Sequence, residues 1–254
     1  MGSVATVITS FLIGPSLMLA PVLGTLPALQ QPACLPPAMH LMTEASVRAS
    51  RFDLPAAVKL LRAATGCDTT RVAAVYAQGL LDARAAALDG GTAESLAPVR
   101  TAIGVLERIG RNRPGPPEIA RLVLSAAAAA AQTERDEMRL YLESAVRMES
   151  IQIAAGQAGA PVVTAAEMAG ALWLQVDRYD EARRAYEDAA RRLGPTPRIL
   201  LGLARAAARL RDPASACAGY GAFLERWGSE LADVEEVVEA RTHLARPECR
   251  APAL

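Results

Sequence analysis

The segment 163–230 contains one pattern of residues twice, and this repeat limits the fold more than any other feature of the sequence. Small and aromatic residues recur in the second copy at the same places as in the first. The aligned pairs, each 34 residues apart, are Gly170 and Ala204, Ala182 and Ala216, and Tyr186 and Tyr220. Several coincidences of residue size at one offset predict a single structural unit that is repeated along the chain.

Each copy has the pattern of two consecutive helices. Apolar residues recur at intervals of three and four within 165–176 and 180–193, so each segment can bury one stripe of side chains as an α-helix. Residues 164–167 have the spacing of a capping box, and Gly194 is a typical residue for ending the second helix. Thr196-Pro197 then provides a capping hydroxyl and a first-turn proline for the next helix. The repeated unit is therefore predicted to be a helix pair.

Within one copy the order is a small residue, a turn, a small residue, an aromatic residue and a small residue, namely Gly170, Arg178, Ala182, Tyr186 and Ala189. This order resembles the tetratricopeptide repeat, whose helix pairs need small side chains where backbones approach closely. The resemblance implies an all-α fold, a right-handed α-solenoid of antiparallel helix pairs. It also implies a surface that binds other proteins.

The rest of the sequence completes about five helix pairs and a C-terminal capping helix within a repeat domain at 38–246. The predicted helices are 38–50, 54–65, 68–88, 92–111, 118–132, 134–150, 165–176 and 180–193, two that begin at Thr196-Pro197 and Asp212-Pro213, and a cap at 231–244. The cap has one apolar and one acidic face, as the end of a solenoid requires. Residues 247–254 are predicted to be a tail.

The N-terminal segment is uncharged and apolar. No Asp, Glu, Lys or Arg precedes Glu44, and the apolar run at 4–23 contains one glycine and two prolines. Residues 1–24 are therefore predicted to be a secretory signal peptide, which would place the mature chain in the periplasm or outside the cell. The alternative is an uncleaved membrane anchor, since about 20 apolar residues can span a bilayer. Residues 25–37 contain four prolines and are predicted to be a linker.

The balance of charges argues against nucleic acid as a partner. Lys+Arg and Asp+Glu are equal at 27 each, so the chain has no general attraction for nucleic acid or anionic lipid. The residues are 52% hydrophobic but only 4% aromatic, which predicts a core of alanine and leucine between closely spaced helices. Lys59 is the only lysine, a preference for arginine that is typical of GC-rich bacteria.

The sequence contains no pattern of catalytic or metal-binding residues. The two histidines, His40 and His243, lie at opposite ends of the chain, and phosphate-binding, dinucleotide-binding and nucleophile-elbow motifs are absent. No cofactor, metal or small-molecule substrate is implied, and we predict a non-catalytic protein. The alternative is an all-α enzyme whose carboxylates, such as Glu143 or Glu167, are brought together by the fold.

In tetratricopeptide repeat proteins the first helix of each pair lines a concave groove, and the resemblance implies the same arrangement here. The residues expected to contact a partner are Glu167, Leu174 and Gln175 in one repeat and Arg198, Leu201, Arg205 and Arg209 in the next. The three arginines share one helical face and can hold the carboxylates of an acidic peptide by bidentate bonds. The alternative is a solvated face whose arginines balance nearby acids.

These expectations predict a protein-interaction scaffold of the bacterial cell envelope that binds a peptide or protein in its groove. A second hypothesis, with the same repeats, is an assembly factor that the N-terminal segment anchors to the membrane. The two hypotheses share the binding surface and differ in how the protein is held in the envelope.

Four cysteines allow three disulfide connectivities, and the geometry of helix pairs selects one. Cys34 precedes the first predicted helix and Cys67 follows the second, so both lie at the same end of an antiparallel pair. Cys217 lies near the start of the last repeat's second helix, and Cys249 follows the cap, whose far end returns to that level. We predict Cys34–Cys67 and Cys217–Cys249 disulfides, which an exported protein would retain. The alternative is that Cys217 is a small buried residue and the other three are incidental.

Overall fold

The computed structural model describes residues 36–64, 67–111, 115–232 and 234–250, which belong to one compact unit, Cys34–Leu254. Over these residues the chain forms twelve α-helices and no strand, so the all-α prediction is confirmed. The helices are α1 (Pro36–Ser50), α2 (Leu54–Ala63), α3 (Asp68–Leu88), α4 (Ala97–Gly110), α5 (Pro116–Ala131), α6 (Arg135–Ala154), α7 (Ala165–Gln175), α8 (Tyr179–Leu193), α9 (Pro197–Arg209), α10 (Pro213–Trp227), α11 (Glu235–Leu244) and α12 (Pro247–Arg250). The predicted signal peptide, and the predicted linker up to residue 35, lie outside the described residues.

The helices contact their neighbours in sequence order. Each helix from α1 to α11 packs against the one that follows it. A second set of contacts joins α1 to α3, α3 to α5, α5 to α7 and α7 to α9. The odd-numbered helices up to α9 therefore form one continuous row. Each of them also packs against the even-numbered helices next to it in sequence.

The same backbone turn follows each odd-numbered helix from α1 to α9. A residue with positive φ ends the helix, and a nearby N–H donates to a carbonyl five residues earlier, which is the Schellman arrangement. The residues with positive φ are Phe52, Gly90, Thr133, Asp177 and Arg211. The hydrogen bonds run from Asp53 N to Arg48 O, Gly91 N to Ala86 O, Glu134 N to Ala129 O, Arg178 N to Trp173 O and Asp212 N to Ala207 O. The turns at Asp177 and Arg211 are 34 residues apart, so the sequence repeat is also a repeat of backbone geometry.

Side-chain caps confirm the predicted starts of three helices. The Thr164 hydroxyl accepts a hydrogen bond from the Glu167 N–H at 3.2 Å, and the Glu167 carboxylate accepts one from the Thr164 N–H at 3.4 Å, which completes a capping box at α7. Thr196 and Asp212 cap α9 and α10, each followed by a proline. Gly194 ends α8, also as predicted. These ends could be located because one local side chain determines each of them.

Helix α4 begins later than its predicted start at Thr92. The Thr92 hydroxyl accepts a hydrogen bond from the Ser95 N–H at 3.1 Å in a separate turn, and the regular helix starts at Ala97. Pro98 explains the delay, because a helix that continued through it would lack the bond from its nitrogen to the carbonyl four residues earlier. At the C-terminal end, the short helix α12 lies where a tail was predicted.

Alanine fills much of the core around α5. Five of the six alanines at 126–131 are buried, and α5 contacts α3, α4, α6 and α7. Small side chains allow four helices to approach it closely. The fully buried Tyr76 of α3 donates a hydrogen bond from its hydroxyl to the carbonyl of Val163 at 3.0 Å, which ties the loop before α7 to the same core.

The C-terminal part of the core is built around aromatic side chains. Tyr186 packs with Ala189 and Ile199 in one cluster, and Tyr220 packs with Phe223 in another. Both tyrosines are almost completely buried. Two residues that align in the sequence repeat are therefore equivalent in burial as well.

Cys217 of α10 and Cys249 of α12 form a disulfide with a Cα–Cα distance of 5.4 Å, in agreement with the predicted pair. The bond joins the last repeat to the end of the capping region. The second predicted disulfide, Cys34–Cys67, includes a residue outside the described part of the chain and stays a prediction.

Candidate functional site

An open groove lies between α7, α9 and α11 and has a volume of about 800 Å³. Its lining residues are Ala171, Leu174, Gln175, Tyr179, Tyr186, Arg205, Ala208, Arg209, Tyr220, Glu235, Val238, Glu239, Thr242, His243 and Arg246. It thus lies against α7 and α9, the first helices of the two copies of the sequence repeat, and against α11. We refer to it as the α7–α9–α11 groove.

Of the seven residues predicted to contact a partner, the structure places four in this groove. They are Leu174, Gln175, Arg205 and Arg209. The other three make contacts within the protein. Leu201 is fully buried, and the Glu167 carboxylate accepts hydrogen bonds from the hydroxyls of Thr164 and Thr196 at 3.0 and 2.7 Å. Arg198 binds a different part of the chain, described below.

Arg205 is paired with the capping helix. Its Nε donates to both carboxylate oxygens of Glu239 at 3.0 and 3.1 Å, and the Tyr220 hydroxyl donates to the same carboxylate at 2.8 Å. Burial acts to raise the pKa of Glu239, but the hydrogen bond and charge of Arg205 outweigh this effect and lower it. Glu239 therefore stays ionised, and the three side chains hold α11 against α9 and α10, which sets the width of the groove.

Arg209 and Arg246 differ from Arg205, because neither forms an ion pair within the described part of the chain. Both are exposed. The guanidinium carbon of Arg209 lies 5.7 Å from the centre of the Tyr179 ring, a cation–π contact that orients the side chain and leaves its N–H donors free. Val238 of α11 is 58% exposed in the same groove. The groove thus contains two unpaired cations and an exposed apolar side chain.

Arg198 binds the turn between α1 and α2. Its Nε donates to the carbonyl of Ala49 at 3.1 Å, and its guanidinium carbon lies 5.0 Å from the centre of the Phe52 ring. Phe52 also contacts Phe223 edge to face, with ring centroids 6.3 Å apart. Burial lowers the pKa of Arg198, although an arginine keeps its charge in proteins. The first helix pair therefore reaches α9 and α10 through one turn.

A second cavity, of about 440 Å³, surrounds this contact. Phe52 and Arg198 both line it, and it shares Ala171, Gln175 and Glu235 with the α7–α9–α11 groove. The two cavities are therefore parts of one continuous surface. The smaller cavity contains the turn at Phe52, and the α7–α9–α11 groove is open.

The Phe52 turn leads to a prediction about stability. Phe52 has a φ of 65°, a conformation that costs roughly 1–2 kcal/mol for a residue with a Cβ. Phe52→Ala should lower the free energy of unfolding by about 1–2 kcal/mol, because the aromatic and cation–π contacts are lost. Phe52→Gly loses the same contacts but relieves the backbone, so it should be about 1 kcal/mol more stable than Phe52→Ala. Urea denaturation of both variants measures the order, and the reverse order would contradict the positive φ.

A third groove, of about 830 Å³, lies between α6, α7 and α8. Glu143, one of the two carboxylates considered for catalysis, lies there at an exposed position of α6. Glu167, the other, is occupied by the capping contacts of α7. Among the described residues neither carboxylate belongs to a group of metal-binding side chains, and the Glu167 carboxylate is held by the hydroxyls of the two capping threonines.

Sequence reasoning missed Glu149 of α6, the most buried carboxylate among the described residues. Only 2% of it is exposed, and it accepts hydrogen bonds from the backbone N–H groups of Ala160, Ala165 and Ala166 at 2.9, 3.0 and 3.2 Å. Burial raises its pKa, and the three N–H groups oppose that effect only in part. Glu149 thereby holds the first turn of α7, a helix that contributes Ala171, Leu174 and Gln175 to the α7–α9–α11 groove.

The structure also brings together three side chains of the types that bind metal ions, two of which are joined by the disulfide. Cys217, His243 and Cys249 have ligand atoms that all lie within 4.8 Å of one another. No metal was expected from the sequence, because the two histidines are far apart and the cysteines were assigned to disulfides. The missed signal is that His243 and Cys249 flank the same turn after α11.

Comparisons with known proteins do not supply a function. No protein-family model, curated protein or solved structure matches the chain. Within the described residues, no helix has both the length and the apolar character needed to cross a membrane. A functional assignment therefore has to rest on the geometry of the groove.

Proposed function

We propose that the chain is a non-catalytic interaction scaffold that binds a peptide segment of another protein in the α7–α9–α11 groove. In this proposal the helices form a right-handed solenoid of five antiparallel pairs that belongs to the tetratricopeptide repeat class, with α11 as its cap. The recurring Schellman turn and the row of odd-numbered helices support that architecture. The Cys217–Cys249 disulfide supports the proposed location, an oxidising compartment such as the bacterial periplasm.

The observation that carries the proposal is that two unpaired guanidinium groups, those of Arg209 and Arg246, line the same groove as an exposed Val238. An exposed aliphatic side chain next to two cations suits a ligand that combines a carboxylate with an apolar side chain. Guanidinium and carboxylate can form two parallel hydrogen bonds, which are stronger than bonds between neutral groups. The predicted acidic peptide therefore binds mainly through Arg209 and Arg246, while Arg205 holds the wall of the groove.

The α1–α2 turn supports the same ligand chemistry. In the adjoining cavity, Arg198 binds a backbone carbonyl and the face of an aromatic ring at once. Arg209 likewise lies over the ring of Tyr179, with its N–H groups available for an acceptor. An incoming segment with an acidic residue beside an aromatic or aliphatic one would repeat, at Arg209, the contacts that the chain makes with itself at Arg198.

A peptide array tests the proposal directly. Peptides of random sequence are screened with the purified chain, and the affinities of the best ones are measured for the wild type and for Arg209→Glu/Arg246→Glu. We expect enrichment of Asp or Glu next to an apolar residue. Losing one charge-assisted bond costs about 1.5–3 kcal/mol, so the variant should bind at least 10-fold more weakly. The wild-type affinity should also fall as salt is raised.

Arg241→Glu is the matched control, because Arg241 is an exposed arginine of α11 that does not line the groove. It makes the same charge reversal at a single site, half of the total change in the double variant, and should leave the affinity within about twofold. The proposal fails if the enriched peptides lack acidic residues, or if Arg209→Glu/Arg246→Glu binds them as well as the wild type does. Helicity measured by circular dichroism confirms that each variant is folded.

A further inference from the structure

The end of the capping region brings three metal-binding side chains to one point. Cys217 comes from α10, His243 from α11 and Cys249 from α12, and their ligand atoms lie within 4.8 Å of one another. Tetrahedral zinc has Zn–S bonds of about 2.3 Å and Zn–N bonds of about 2.1 Å, so its ligand atoms are about 3.4–3.8 Å apart. The three groups are thus close enough to reach one ion after small side-chain movements.

His243 is unsatisfied in its present surroundings. It is 6% exposed, and its Nε2 atom is buried and has no hydrogen-bond partner among the described residues. Buried polar nitrogens are normally bonded, and an orphan costs about 1–3 kcal/mol. The ring is held in place by the ring of Tyr220, with centroids 4.4 Å apart. The imidazole is therefore buried, oriented and within reach of two sulfurs, and one of its nitrogens has no partner, as expected for a potential metal ligand.

A cavity borders this cluster on its His243 side. It has a volume of about 320 Å³, and His243, Ala216, Arg246 and Glu248 are among its lining residues. A metal ion needs a route of entry, and a site with three protein ligands needs room for a water molecule as the fourth. Two thiolates would balance the charge of a divalent ion, and the charges of Arg246 and Glu248 beside the site are opposite in sign.

We propose that Cys217, Cys249 and His243 form a binding site for a thiophilic divalent metal ion, with Zn²⁺ as the best fit, when the Cys217–Cys249 disulfide is reduced. Sulfur and imidazole ligands together favour zinc over magnesium or calcium, which take oxygen ligands. The disulfide and the metal use the same sulfur atoms, so they exclude each other. The end of the capping region is thus closed either by a covalent bond or by an ion.

Reduction and oxidation of the disulfide interconvert the two states. A dithiol reductant transfers two electrons and two protons to the disulfide, the S–S bond breaks to give two thiols, and the reductant becomes a disulfide. Zinc then binds both sulfurs as thiolates and releases two protons to solvent. In the reverse direction the disulfide form of the reductant accepts two electrons and two protons, Zn²⁺ is released, and the S–S bond forms again.

Zinc stoichiometry of the full-length chain tests the proposal. The protein is reduced with a phosphine, which does not compete for metal as a dithiol would, and is titrated with Zn²⁺ against a chromophoric chelator. We expect one Zn²⁺ per reduced chain and none per oxidised chain. With Co²⁺ as the probe, the reduced wild type should show thiolate-to-cobalt charge-transfer absorption in the near ultraviolet and the visible bands of tetrahedral Co²⁺. Absence of both signals in the reduced wild type would sink the idea without reference to any variant.

Matched variants then identify the ligands. His243→Gln should weaken zinc binding by more than the roughly 100-fold that loss of an outer-shell partner can cost, whereas His40→Gln, at an exposed position of α1, should not change it. Cys34→Ser/Cys67→Ser should keep one zinc, and Cys217→Ser should lose it. Wild-type affinity in His243→Gln, or loss of zinc in Cys34→Ser/Cys67→Ser, would overturn the assignment. Circular dichroism of each reduced variant separates loss of a ligand from loss of the fold.

Discussion

Glu149→Ala is expected to lower the free energy of unfolding by about 3–5 kcal/mol. The side chain accepts hydrogen bonds from three backbone N–H groups, on Ala160, Ala165 and Ala166. The last two belong to the first turn of α7, where the helix cannot supply partners of its own. Each buried donor that is left without an acceptor costs about 1–3 kcal/mol, and release of the buried carboxylate offsets part of the total. Urea or thermal denaturation of the folded chain measures the difference.

Two further substitutions separate the effect of the lost hydrogen bonds from the effect of removing any glutamate from α6. Glu143→Ala removes a glutamate from an exposed site of the same helix and should change stability by less than about 0.5 kcal/mol. Glu149→Gln keeps one acceptor oxygen but turns an NH₂ group towards a backbone donor, so its loss should lie between those of the other two variants. An equal effect of Glu149→Ala and Glu143→Ala would show that the buried hydrogen bonds do not hold α7.

The raised pKa of Glu149 also predicts a dependence on pH. Burial lifts the pKa in the folded chain above its ordinary value of 4.5, so between these two values the folded state binds more protons than the unfolded state. The contribution of Glu149 is therefore greatest below pH 4.5 and is lost as the pH rises through the folded-state pKa. The stability of the wild type relative to Glu149→Gln should fall over that window. A difference that stays constant with pH would show that the carboxyl titrates normally.

The helix pairs from residue 163 onwards could be predicted because their signals are local. Thr164, Thr196 and Asp212 each cap a helix with their own side chain, and Gly194 ends one. Such contacts span three or four residues, so the residues that determine a helix end stand side by side in the sequence. A repeat strengthens them further, since each copy supports the interpretation of the other.

Glu149 could not be found in that way, although the sequence contains a trace of it. On α6 the buried residues Met138, Leu142, Ala145 and Glu149 follow one another at intervals of four, three and four. A charged residue at the last position of an apolar stripe indicates a buried carboxylate with specific partners. Its partners lie 11 to 17 residues later, in a loop and a helix start whose positions periodicity does not determine.

The three arginines on one face of α9, here called the arginine stripe, show a limit of prediction from the sequence. Helical spacing places Arg198, Arg205 and Arg209 on one face of α9, but it does not show what lies opposite each of them. Arg198 meets a turn 149 residues earlier in the chain, and Arg205 meets a glutamate of the capping helix. Both contacts join segments that have no common pattern. The division of the stripe into two structural arginines and one available for binding therefore follows from the tertiary fold alone.

Gly202→Ala is expected to lower the free energy of unfolding by about 3 kcal/mol. A Cβ atom at this position would lie 2.2 Å from the Cζ atom of Tyr186, and one at Gly170 would lie 2.6 Å from carbons of the same ring. Carbon atoms do not approach so closely, and the ring is buried against Ala189 and Ile199. The tyrosine or the helix must therefore move, and overpacking of a core typically costs about 1–3 kcal/mol. The upper end applies because the clash is with a rigid ring.

Gly221→Ala is the control, because it makes the same change inside a neighbouring helix with the opposite expected sign. Gly221 lies within α10, and a Cβ there would have no atom within 4 Å. Alanine is favoured over glycine inside a helix by about 0.5–1 kcal/mol, so this variant should be more stable than the wild type. Helix propensity contributes equally to both substitutions, and the difference between them isolates the contact with Tyr186. If Gly202→Ala also raised the denaturation midpoint, α7, α8 and α9 could not be as close around Tyr186 as the repeat requires.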